Sequence, residues 1–128
     1  MCTFKEGIFM ARINIKTTLK NKEDFSSIKK NLKGILRENE ICYQEEDTMV
    51  SLIILENSIF LKRKDKEKCL EFVFEKENSN LKITFINENK ELIIPINLLC
   101  LNIEKEKIYV AYEIDTVKEF TIEYEVLS

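Results

Sequence analysis

Alternation with a period of two is the feature that most restricts this chain. It is clearest near the C-terminus, where Ile108, Val110, Tyr112 and Ile114 share one parity and are followed by Phe120, Ile122, Tyr124 and Val126. Lys107, Glu113, Glu119, Glu123 and Glu125 fill the intervening or flanking positions. Successive side chains of a strand point to opposite faces, so the pattern describes strands with one buried and one wet face.

The same alternation begins at Arg12 to Leu19, where Ile13, Ile15, Thr17 and Leu19 oppose Asn14, Lys16 and Thr18. Asn21 to Ser27 interrupts it, as a loop or one short helical turn. Leu32, Gly34 and Leu36 resume the pattern, Arg37 to Glu40 turn it, and Ile41, Cys42 and Tyr43 return. A second hairpin, Val50 to Ile54 and Ile59 to Arg63, is apolar on both parities, which predicts cover on each face. Leu70, Phe72 and Phe74, then Leu81, Ile83 and Phe85, continue the series. Leu92 to Ile103 is too long and too apolar for one alternating strand, and Pro95 within it predicts a bend, a bulge or an edge. With only two Gly and one Pro, Asn, Asp and Ser are expected to serve most turns. The count is about 8–10 strands joined by hairpin-length turns. The expected fold is all-β, a single antiparallel up-and-down β-barrel with little helix, since closure removes exposed apolar edges.

At 128 residues with 45% hydrophobic and 34% charged content, one domain with one core is expected. Lys5-Glu6-Gly7 can be encoded by a purine-rich run of the ribosome-binding type just upstream of Met10. Residues 1–9 are therefore read as an N-terminal extension arising from a mis-assigned start, and 10–128 as the barrel domain. Intact mass of the natural product tests this.

The net charge of −3 is spread as interspersed Lys and Glu, the pattern of a solvated surface. Seventeen Lys against three Arg, with many Ile and Asn, is codon bias of an AT-rich genome. The tract Lys62 to Lys68 holds five cations in seven positions, but it contains Asp65 and Glu67 and no aromatic platform, so no nucleic-acid partner is expected. No stretch has the apolar length of a membrane span, and no leader-like apolar run opens the chain, so neither a membrane nor export is expected. Four dispersed cysteines and no His argue against a zinc site and predict reduced, cytoplasmic thiols. No metal and no cofactor is expected. Without His, a Gly-rich phosphate loop or an activated Ser or Cys, an enzyme is disfavoured.

From about Ile13 to Glu125 the order of features resembles the YwiB-like family, small bacterial calycin-like β-barrels of unassigned role. Gly34-Ile35-Leu36 resembles that family's Gly followed by aromatics, and Tyr43-Gln44-Glu45-Glu46 its Tyr-plus-acid segment. Arg63 resembles the Arg that ends a central strand; Val110 to Glu113 and Phe120 to Tyr124 resemble the last two strands. Asp65 stands where the family tends to have Gly, and Asn87 to Lys90 replace a Gly expected before a long strand. The resemblance implies a calycin- or lipocalin-like barrel fold. It does not bring ligand signatures with it: the chain has no Trp for a lipocalin G-x-W, and Glu123-Tyr124-Glu125 stands where fatty-acid-binding proteins carry R-x-Y.

Five residues are candidate ligand-binding groups. Arg63 and Glu45 match family positions near strand ends, where a guanidinium grips a carboxylate or phosphate with two hydrogen bonds; the alternative is a structural ion pair. Tyr43, Tyr112 and Tyr124 would put hydroxyls into an apolar barrel; the alternative is core tyrosines in a filled interior. Two functions stay open: a non-enzymatic barrel binding a small anionic or amphipathic molecule at its mouth, anchored by Arg63, and a filled barrel acting as a homodimer or partner-binding module.

Overall fold

The computed structural model describes residues 10–127; the expected extension 1–9 and the start at Met10 lie outside the described residues. The described chain is eleven strands and no helix: β1 (Met10–Asn21), β2 (Ser27–Arg37), β3 (Glu40–Glu45), β4 (Thr48–Ile54), β5 (Ile59–Lys64), β6 (Lys68–Phe74), β7 (Asn80–Phe85), β8 (Lys90–Pro95), β9 (Asn97–Glu104), β10 (Lys107–Glu113) and β11 (Val117–Val126). All lie in one antiparallel sheet ordered β8-β7-β6-β5-β4-β3-β2-β1-β11-β10-β9. The strands at the two ends of that order, β8 and β9, are separated in the chain by Ile96 alone. The sheet therefore curls until its ends meet at one residue, and the protein is a single, nearly closed up-and-down β-barrel.

Ile96 is 8% exposed, and its N–H donates to the Ser79 carbonyl at 3.0 Å. The apolar tract Leu92 to Ile103 is thus two strands broken at Pro95, which raises the count to eleven. A bulge follows: Ala111 pairs with Cys100 but Tyr112 pairs with Leu98, leaving Leu99 as the extra residue. Each half of this tract is paired on one side only, and Leu92, Ile93 and Leu99 are exposed. The β4–β5 hairpin lacks the expected second cover. Its outward pair, Ile53 opposite Phe60, is half-buried by neighbouring side chains while Val50, Leu52, Ile59 and Leu61 are buried inside. The interruption expected over Asn21 to Ser27 is a turn and loop of five residues, Lys22 to Ser26, with no helix, since Asn21 ends β1 and Ser27 begins β2.

The inner rows of the strands share one trend. They run Ile13, Ile15, Thr17 on β1; Ile41, Tyr43, Glu45 on β3; Ile59, Leu61, Arg63 on β5; Ile108, Val110, Tyr112 on β10; and, against the chain, Ile122, Phe120, Lys118 on β11. Register brings the polar members to the same end, since Thr17 opposes Lys30, Leu19 opposes Phe120, and Val50 lies between Tyr43 and Arg63. The five isoleucines at the other end are each 1% exposed or less. One end of the barrel is packed solid by burial of apolar side chains; the other carries the polar groups.

One of the three described cysteines departs from the expected reduced state. Cys69 and Cys100 are free, but Cys42 is disulfide-bonded.

Candidate functional site

The polar end of the inner rows encloses a cavity of about 320 Å³. Its charged lining is Lys30 from β2, Glu45 from β3, Arg63 from β5 and Lys118 from β11. Each has the parity of its strand's apolar inner row, so the register that buries Leu32, Ile41, Leu61 and Ile122 also turns these groups inward. Thr17, Tyr43 and Tyr112 complete the polar lining. Leu61, Leu70, Phe72, Phe74 and Phe120 supply most of the apolar wall.

Arg63 Nη2 donates to Glu45 Oε2 at 2.6 Å, and Lys30 Nζ lies 3.3 Å from the same oxygen. Burial pushes the Glu45 carboxyl up, but the hydrogen bonds and charges of Arg63 and Lys30 outweigh it and hold Glu45 below the ordinary range, ionised at neutral pH. Lys118 forms no ion pair among the described residues. Three cations against one carboxylate leave the lining with an excess of two positive charges, in a chain whose net charge is −3.

Tyr43 is 4% exposed, and burial raises its phenol to about 12, with Arg63 opposing and Glu45 reinforcing the rise. Burial also raises the Tyr112 phenol, again against Arg63. Both hydroxyls remain protonated at neutral pH and stand within the field of one guanidinium, as neutral donors. Behind them Phe72, Phe74 and Tyr112 form a ring cluster, with centroids 5.6 Å apart for Phe72–Phe74, 5.1 Å for Phe74–Tyr112 and 6.4 Å for Phe72–Tyr112.

Arg63, Glu45, Tyr43 and Tyr112 thus lie in one cavity, and the first two also form the structural ion pair that was the alternative to a binding role. Tyr124 is elsewhere. It is half-buried against the core, its N–H donates to the Glu106 carbonyl at 3.0 Å, and it does not line the cavity. Lys30 and Lys118 are the functional candidates that the sequence reading missed. Their signal is parity: Lys30 continues the row Leu32, Gly34, Leu36, and Lys118 the row Phe120, Ile122. The tract Lys62 to Lys68 divides across the wall, Arg63 facing in and Lys62 and Lys64 exposed.

The arrangement offers a guanidinium, two ammonium groups and two phenol donors above an apolar floor, which suits an anion with an apolar part. Among the described residues no group of three or more His, Cys, Asp or Glu is placed to hold a metal ion, and no helix is long and apolar enough to cross a membrane.

No family model and no curated protein matches the sequence. Among solved structures, the crystal structure of YwiB protein from Bacillus subtilis matches with a TM-score of 0.69 over 94% of this chain and 94% of that chain, at 16% identity. The fold is YwiB-like.

Proposed function

We propose that this YwiB-like barrel is a non-enzymatic, calycin-like binding protein that takes a small anionic, amphipathic molecule in the cavity at its polar end, with Arg63 as the anchor. The observation that carries the reading is the excess of two positive charges in a cavity with an apolar floor, inside a protein that is acidic overall. Glu45 holds the Arg63 side chain in place until a ligand anion competes for it. Tyr43 and Tyr112 donate hydrogen bonds to the bound anion, and Lys118 supplies a further positive charge at the cavity wall.

Calorimetric titration of short carboxylates and phosphates into wild type and Arg63→Ala tests the reading. A charge-assisted hydrogen bond contributes roughly 1.5–3 kcal/mol, so the variant is expected to bind roughly 10- to 100-fold more weakly. Unchanged affinity in the variant removes Arg63 from the site. The reading places the protein in the cytoplasm, which the free Cys69 and Cys100 favour and the bonded Cys42 opposes. Thiol counting on protein drawn from its own cells under non-reducing conditions decides it.

A second reading has its own observation. Leu98, Leu99, Cys100 and Leu101 all line an outer groove of about 900 Å³ beside Glu56, Asn57 and Lys76. Consecutive residues of a strand lie along one groove when the groove follows the strand's edge and not its face. That unpaired edge of β9, with the exposed Leu92 and Ile93 of β8, favours a homodimer joined edge to edge. Sedimentation across a range of concentrations is the test, and a strict monomer ends it.

A further inference from the structure

We infer that the apolar part of the ligand is a flat ring, so that the cavity takes a single-ring aryl carboxylate or aryl phosphate and not an aliphatic acid. This rests on the anion-binding reading above and specifies the class of molecule.

Leu70, Phe72 and Phe74 occupy successive inner positions of β6 and line the cavity together. The Phe72 and Phe74 rings are nearly parallel, at 18°, while Tyr112 meets them from β10 at 63° and 47°. Offset-parallel and edge-on contacts at such separations are the arrangements that aromatic quadrupoles prefer. Phe74 is 1% exposed and closes the floor, whereas Phe72 is only half-buried. The cluster therefore ends in ring surface turned to open space, where a further ring extends the stack.

The distance to the charges agrees. Leu61 opposes Phe72 and Arg63 opposes Leu70, so Arg63 stands one inner row above the half-buried Phe72 ring. Two residues of strand span about 7 Å, which a ring bearing its acid on a linker of a few atoms bridges. A long acyl chain has nowhere to go, because Phe74 and Ile59 are each 1% exposed and opposite one another at the floor. A volume of about 320 Å³ also sits near the lower bound of ligand pockets, roughly 300 Å³. A rigid ring loses less rotational freedom than a flexible chain on entering so small a space.

The experiment is calorimetric titration of 3-phenylpropionate, hexanoate, phenyl phosphate and 3-phenylpropanol into wild type and Phe72→Leu, with the circular dichroism melt of the variant as a check on folding. Wild type is expected to bind 3-phenylpropionate at least tenfold more tightly than hexanoate, and that ratio should shrink at least threefold in Phe72→Leu. Should the variant fail to fold, the ratio in wild type alone decides. Equal affinity for 3-phenylpropionate and hexanoate overturns the ring while sparing the anion. Equal affinity for 3-phenylpropanol and 3-phenylpropionate overturns the anion reading and with it the class named here. No binding by any of the four overturns both.

Discussion

Glu45 accepts a hydrogen bond from Arg63 with Lys30 at the same oxygen, so its ionisation is tied to the folded state. Its folded pKa lies below the ordinary 4.5, so the stability it contributes is complete above that value and is lost as pH falls through the folded pKa. Glu45→Gln should therefore flatten the acid limb of a stability–pH curve measured by urea melts. The tyrosines behave in the opposite sense. Tyr43 is raised from 10.0 to about 12, so its contribution is present below 10.0 and fades as pH climbs toward 12. Ultraviolet titration of Tyr43→Phe should lack one late ionisation present in wild type. Among thiols, Cys100 is exposed, while burial, with help from Glu71, raises the Cys69 thiol; timed alkylation followed by peptide mass mapping should label Cys100 first. At this scale the sequence was readable where a charge broke an apolar row, as Arg63 does after Ile59 and Leu61. Lys30 was as readable in principle. It was obscured by sixteen other lysines, since parity has meaning only once the strand's inner face is known.

Turns show a different limit. With two glycines in the chain, Asn, Asp or Ser does stand in most turns, but among the described residues the left-handed non-glycine positions are Phe25, Glu38, Glu46, Asn89 and Glu106, with φ of 51–65°. Three are glutamates at two-residue hairpin loops, where the ladders on either side fix the geometry and the residue must comply. A left-handed non-glycine residue costs about 1–2 kcal/mol, part of which glycine returns as greater freedom in the unfolded chain. Glu106→Gly should thus stabilise the protein by up to about 1 kcal/mol in urea melts. Gly34 requires the reverse argument. A Cβ there would sit 2.6 Å from the Cys42 carbonyl oxygen and 2.6 Å from Ile15 Cδ1. The first contact is backbone within the β2–β3 ladder and cannot swing away, so Gly34→Ala should destabilise by about 1–3 kcal/mol. Strand positions were legible from alternation alone, as β10 and β11 show. The break of Leu92 to Ile103 into β8 and β9 was visible only as a proline in a long apolar run, because its cause is the meeting of distant strands.

At the scale of the molecule, an acidic protein gathers three cations and one carboxylate inside one end of a barrel whose other end is packed with isoleucine. Composition gives no hint of this separation, since it arises from register across five strands. Closure was predicted from the number of apolar strands. That it occurs through the single residue Ile96, with no ladder between β8 and β9, belongs to three dimensions. The ladder that joins the first strand to the last has its own bearing on use. Ile13 pairs with Val126 beside the packed end, while Leu19 pairs with Phe120 beside the cavity. The first and last described strands therefore leave the barrel together, on the side away from the mouth. A tether or fused reporter attached at either strand's outer end will hold the protein with its opening toward the solution, so that a surface-bound layer of this barrel presents every cavity to the flow.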